Sequence, residues 1–99
     1  MPDKSLSDLL IEVNSERSLL DFIAALIKDR CEAIAAEERN PSSPYGPDAG
    51  GWENTSIERF LEAAAAWAES TNFGLTKGLH ADNPWRRFAN FLACGKDYE

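Results

Sequence analysis

Glu16-Arg17-Ser18-Leu19-Leu20-Asp21-Phe22-Ile23-Ala24-Ala25-Leu26-Ile27-Lys28-Asp29-Arg30-Cys31-Glu32-Ala33-Ile34-Ala35-Ala36-Glu37-Glu38-Arg39 runs without a glycine or a proline. Those two residues cost a helix interior most, so nothing in the stretch interrupts a helical backbone. At 100° per residue, Leu19, Phe22, Ile23, Leu26, Ile27 and Ile34 fall within about one third of the circumference. Asp21, Lys28, Asp29, Glu32 and Glu38 take the opposite face, where Lys28 and Glu32 have the i, i+4 spacing of a weak surface ion pair. The segment reads as an amphipathic helix over 16–39, its apolar side turned to a core and its charged side to water.

Towards the N-terminus, Ser5-Leu6-Ser7-Asp8 has the form of a capping box, in which a hydroxyl and a carboxylate satisfy free backbone N–H groups reciprocally. A short helix over 5–13 follows, and Asn14-Ser15 both ends it and caps the next. Towards the C-terminus the character changes at 40–51, with Pro41, Pro44 and Pro47 three apart and Gly46, Gly50 and Gly51 among them. A helix cannot pass through such a run. Its spacing suits a short polyproline-like stretch with Tyr45 as the large apolar group, and it reads as a mobile connector, with a binding loop as the alternative.

Thr55 and Glu58 form a second capping box, with Asn54 as a competing cap, ahead of a helix over 55–70 whose apolar face is Ile57, Phe60, Leu61, Ala64, Trp67 and Ala68. Thr71 to Asp82 has no clean period and reads as a loop with one turn around Leu75 and Leu79. Asn83 then caps a helix over 84–95 with Pro84 at its first position, Trp85, Phe88, Ala89 and Leu92 inward, and Gly95 as the stop. No alternating strand pattern occurs. The expected class is all-α, an irregular bundle of about four helices forming a single small domain over 1–99.

Composition agrees: 99 residues, 43% hydrophobic and 27% charged, suffice for one globular core and leave no room for a second. The net charge of −7 repels phosphate, which argues against nucleic acid and anionic membranes as partners. Residues 1–69 hold fourteen acids against six bases, so a cationic partner would meet that part. The start, Met1-Pro2-Asp3-Lys4-Ser5, has no signal-peptide form, and no run approaches the roughly 18 apolar residues that span a bilayer, so a soluble, cytoplasmic protein is expected. Cys31 and Cys94 are then expected as free, mostly buried thiols, with a disulfide as the lesser alternative.

No reaction motif stands out. His80 is the single histidine, and Asp82 beside it completes no metal-ligand set. Glu58 with Glu62, and Asp8 with Glu12, share helix faces as solvated pairs. Gly-rich phosphate cradles and serine elbows are absent from the sequence. The expectation is therefore no catalytic, metal or cofactor residue, and no enzyme. Arg86-Arg87 is expected to make an internal ion pair with Glu53 or another acid of the third helix. Trp67 and Trp85 are expected in the core, and Trp52, outside the helices, is expected to cover the end of the bundle or stand partly exposed and to matter less to stability than Trp67.

Trp52-Glu53-Asn54-Thr55-Ser56-Ile57-Glu58-Arg59-Phe60-Leu61, then Trp67, Pro84-Trp85-Arg86-Arg87-Phe88-Ala89 and a closing Tyr98-Glu99 resemble a family of small bacterial proteins classed as a domain of unknown function. The likeness covers roughly residues 16–99. It implies a bacterial origin, a stand-alone small domain and a shared Trp52-Glu53-Asn54 segment, and it brings no activity to transfer.

Two functions compete. The first is a non-catalytic protein-interaction domain, of the immunity or inhibitor kind, in which a compact acidic protein occludes a basic site as monomer or homodimer. Its candidate interaction residues are Tyr45, Trp52, Glu53, Asn54 and Arg86. The alternative is a small-ligand binder or enzyme using Trp52, Glu53, Asn54 and Arg86, grouped where the third and fourth helices begin and favouring an anion there.

Overall fold

A computed structural model of the chain describes residues 4–43 and 46–98. It contains four α-helices, α1 (Leu6–Ile11), α2 (Glu16–Arg39), α3 (Ile57–Thr71) and α4 (Pro84–Asp97), with 3-10 turns at Ala49–Gly51 and Leu75–Lys77. The fold is all-α: among the described residues there is no strand, and a single bridge pairs Asp48 with Trp52. None of these helices is long and apolar enough to cross a membrane.

Side-chain caps set most helix starts. Ser5 Oγ accepts from Asp8 N at 3.1 Å while the Asp8 carboxylate accepts from Ser5 N at 3.3 Å, the reciprocal pair expected for α1. Ser15 caps α2, with Ser18 in the place of the usual acid. α3 is capped by Ser56, whose Oγ accepts from Arg59 N at 3.3 Å, and not by Thr55 or Asn54. Asn83 serves twice: its Oδ1 accepts from Arg86 N at 3.1 Å, and its Nδ2 donates to the Val13 carbonyl at 3.0 Å. One amide thereby starts α4 and pins that start to the junction of α1 and α2.

α4 is the central element. α3 packs along it antiparallel: the Glu53 and Asn54 amides donate to the Lys96 carbonyl at 3.1 Å at one end, and Arg87 Nε donates to the Phe73 carbonyl at 2.9 Å at the other. α2 runs beside α4 in the same direction, Asn83 meeting Val13 at the start and Lys96 Nζ meeting Asp29 Oδ2 at 2.9 Å near the end. α1 lies against both. α2 and α3 make no substantial contact with each other, and the molecule is thin, 43 × 36 × 18 Å.

The main core joins Val13, Leu19, Phe22, Leu26, Trp52 and Ala89, with Leu9, Leu10 and Phe60 packed around it. Between α3 and α4 a second cluster sets Trp67 edge-on to Phe73 at 6.0 Å, and Phe73 stacks on Phe91 at 5.3 Å. Ala63 and Ala64, buried on α3, have side chains small enough to let α4 approach closely.

This arrangement corrects several expectations. Because α4 separates α2 from α3, their outer apolar residues find no partner: Ile27 is 59% exposed, Ile57 78% and Leu61 52%, and Ile34, Trp85 and Phe88 also stand in solvent. Cys31 is exposed, and only Cys94 is partly sheltered; both thiols are free. Gly95 does not end α4. It lies inside the helix under the Phe60 ring, where an added Cβ would meet ring carbons at 2.7 Å.

The loop after α2 is tied to that helix at Ser42, Asp48 and Ala49. The Glu37 carboxylate accepts from Ser42 Oγ, from Ser42 N at 2.8 Å and from Ala49 N at 2.7 Å, while Arg30 lies 3.8 Å from Asp48. The Ser42 hydroxyl, then the Ser42 and Ala49 amides, hold the Glu37 carboxyl below its ordinary value of 4.5. A carboxyl lowered by folding favours the folded loop above the ordinary carboxyl range, and that contribution is lost as pH falls through the lowered value. Glu37→Gln is therefore expected to reduce amide protection at Ser42 and Ala49 at neutral pH, and the wild type to lose the same protection only in acid. NMR hydrogen exchange checks this; unchanged protection in the variant would show that the loop is held by other contacts.

Candidate functional site

Trp52 leads out of the loop and is buried, 4% exposed against 5% for Trp67. Burial does not rank it below Trp67, and its surroundings hold it by more than packing. Its indole Nε1 donates to Asp29 Oδ2 at 2.9 Å, and its ring stacks on Phe60 at 6.3 Å. The Arg30 guanidinium and the Lys96 ammonium lie 5.2 and 5.4 Å from the ring centroid, and cations so placed are drawn to the π-electrons. Asp29 Oδ2 also takes the Lys96 ammonium at 2.9 Å. A single carboxylate oxygen thus joins α2, the Trp52 segment and α4.

Asn54 acts on the neighbouring helix end. Its Nδ2 donates to the Gly95 and Tyr98 carbonyls at 3.1 and 3.0 Å, so it caps the C-terminus of α4 where sequence reasoning placed it as a cap for α3. The Glu53 backbone amide joins the same end through Lys96, and its side chain is half-buried. Carbonyls left free by the last helical turn need donors, and residues 53 and 54 supply them.

The other two candidates do not join this cluster. Arg86 stands near the start of α4, and antiparallel packing puts that start at the end of α3 rather than beside Trp52. No ion pair to Arg86 occurs among the described residues, and its Nε is buried without a hydrogen-bond partner. The anticipated pair with Glu53 is thus replaced: Arg87, not Arg86, is the anchored arginine, donating to Phe73 and lying 5.4 Å over its ring. Tyr45 lies outside the described residues.

Polar groups elsewhere are largely engaged with one another. A wide depression, about 820 Å³ between α1 and α2, brings Lys4, Lys28, Asp29, Glu32 and Lys96 together. Lys4 is already 2.7 Å from Glu12, Lys28 4.0 Å from Glu32 and Lys96 2.9 Å from Asp29. His80 and Asp82 are exposed, and among the described residues no three His, Cys, Asp or Glu side chains gather. Burial, with the Asp97 charge, pushes the Cys94 thiol up to about 11, which keeps it protonated and a poor nucleophile at neutral pH.

The feature that sequence reasoning missed is apolar. Leu26, Ile27, Trp52, Ile57, Phe60 and Leu61 line an open groove of about 290 Å³ between α2 and α3. Trp52 and Phe60 form its floor, and Ile57 and Leu61 rise on the α3 side. A second depression, lined by Leu19, Pro84, Trp85 and Phe88, lies further back along the same stripe of α2, since Leu19 and Leu26 are seven residues apart. The signal was present in the sequence: α2 and α3 carry wider apolar arcs than one neighbour each can cover.

A family model matches residues 15–99, taking in α2, α3 and α4: the Family of unknown function (DUF7660). No curated protein and no solved structure matches the chain.

Trp52→Ala is expected to destabilise the protein as much as Trp67→Ala, by about 3–5 kcal/mol each, since both empty a buried aromatic site. Urea denaturation of the two variants measures this. A Trp52→Ala loss under half that of Trp67→Ala would show the indole clasp to be secondary.

Proposed function

The chain belongs to DUF7660, a membership that carries no activity with it, and from its surface we propose that it is a non-catalytic protein-interaction domain. The observation that carries this reading is the apolar groove, with Ile57 78% and Leu61 52% exposed over a Trp52–Phe60 floor. Clustered exposed apolar side chains mark interaction surfaces, whereas scattered ones do not. Glu58 and Glu62 are exposed next to Ile57 and Leu61 on α3, and the whole chain carries −7. A partner suited to this surface is a basic protein that places an apolar side chain between acidic neighbours, as the target of an immunity or inhibitor protein would. Two free thiols favour the cytoplasm of a bacterial cell as the setting. The ligand-binding alternative is the weaker reading, because Trp52 and Asn54 are spent on internal bonds and Arg86 is remote from them.

A test is capture of partners from a bacterial lysate at low and high salt with wild type, Leu61→Asp and the pair Glu58→Lys with Glu62→Lys. The expectation is a basic protein held at low salt, released at high salt, and bound at least about tenfold more weakly by either variant, as for a residue at the centre of an interface. Retention that ignores both variants would overturn the assignment to the groove, and retention of acidic proteins only, indifferent to salt, would overturn the basic partner.

A further inference from the structure

The solvent side of α2, which meets the groove at Ile27, carries a second pattern. Leu20, Ala24, Ile27, Cys31 and Ile34 are spaced 4, 3, 4 and 3 residues apart. All five are exposed, Leu20 and Ile34 at 44% and Ile27 at 59%. That spacing is the seam of a two-helix coiled coil, and a solvated helix face has no need of it. Arg17 and Glu38 hold the next seam positions at either end.

We infer that α2 is a self-association surface, and that a second copy of this chain covers the seam with its own α2, antiparallel and related by a two-fold axis. Apolar overlap and charge together select the register. In an antiparallel seam a residue of one heptad position packs against the complementary position of the other helix. One register then sets Ala24 against Ile27 of the second copy, Leu20 against its Cys31, and the alkyl stem of Arg17 along its Ile34. The same register brings Asp21 of each copy beside Lys28 of the other, two attractive pairs flanking an apolar strip, and Glu16 beside Glu37, whose carboxylate already accepts from Ser42 and Ala49 within its own chain. Sliding by one heptad opposes Lys28 to Lys28 and Arg30 to Arg30 in one direction; in the other it sets Glu16 beside Arg30 but opposes Asp21 to Asp21 and puts Arg17 against Ile27, which shortens the apolar strip. Parallel pairing buries Arg17 against Arg17 and Glu38 against Glu38, and sets Glu16 beside Asp21. Like charges so placed are costly, and of these arrangements the first joins the longest apolar strip to attractive central pairs. It is isologous, as a two-fold dimer requires: each contact occurs twice with the copies exchanged.

The present partners of these charges do not stand in the way. Arg17 meets Asp21 at 3.1 Å and Lys28 meets Glu32 at 4.0 Å within the chain, with all four side chains more than half exposed. Exposed pairs of this kind are weak and exchange readily. The seam shares Ile27 with the groove, and Leu61→Asp tells the two apart, because it alters the groove and leaves the seam intact.

Sedimentation equilibrium of the full chain tests it. The wild type is expected to dimerise with concentration, and Ile27→Asp, at an exposed site that the fold tolerates, to weaken the dimer roughly 100-fold by placing two carboxylates in an apolar seam. Asp21→Lys and Lys28→Asp are each expected to weaken it about tenfold, and the double variant to recover wild-type affinity, a rescue that mere structural damage would not give. Covalent trapping reads the register. Leu20→Cys is expected to give a disulfide-linked dimer through Cys31 of the second copy, and L20C/C31S none. In the wild type the two Cys31 residues stand about 16 Å apart along the helix axes and stay unlinked. A monomer at every concentration, a dimer indifferent to Ile27→Asp, or a ready Cys31–Cys31 disulfide in the wild type would each overturn the inference.

Discussion

Much of this molecule rests on the hydrogen bond from the Trp52 indole to Asp29, 2.9 Å long and set between two cations. α2 and α4 run in the same direction, so no short turn can join them, and the middle of α2 must be held to the end of α4 by side chains. Asp29 holds them by accepting from both Trp52 and Lys96. With the indole in place, the next two residues reach the α4 terminus, and Phe60 is carried over Gly95. Without it, a half-sheltered ion pair would face an empty aromatic site, and the three long helices would keep α4 as their sole common support.

Seen this way, the loop before Trp52 is part of the clasp. Glu37 fixes both sides of the loop through Ser42 and Ala49, and Ala49 packs against the same core as the indole. Its prolines limit the freedom of the unfolded segment, while Gly50 and Gly51 take φ values of +74° and +81°, a region that L-residues with side chains rarely enter. The left-handed turn lets the chain bend back from Asp48 to Trp52 in five residues.

The elements that depend on local chemistry were legible in the sequence. α2 spans Glu16–Arg39 as its unbroken periodicity requires, and Asn83 with Pro84 starts α4 as their chemistry dictates. The misreadings share one cause, which is that a helical stripe says that a face is apolar and not whether anything covers it. Trp85 and Phe88 have inward spacing yet lie beside an open depression, and Ile57 begins a helix whose first turn overhangs the groove. Asn54 and Gly95 were misread for a related reason: each has a local role its neighbours suggest, cap and stop, and each is used for a contact between distant segments. Trp52 could be flagged from its position between Gly51 and a helix start, but its partner Asp29 could not, being one acid among seventeen.

The three tryptophans have settled into three unlike surroundings. Trp52 is flanked by charge and bonded to a carboxylate, Trp67 is buried edge-on to the Phe73 ring, and Trp85 is 39% open to water. Intrinsic fluorescence from this chain is accordingly a composite signal. Its collisionally quenchable part belongs to the rim of the Leu19–Trp85 depression, and its sheltered part divides between the clasp and the α3–α4 seam. Single-tryptophan variants would resolve it into three native probes, each reporting on a different joint of the fold without any attached dye.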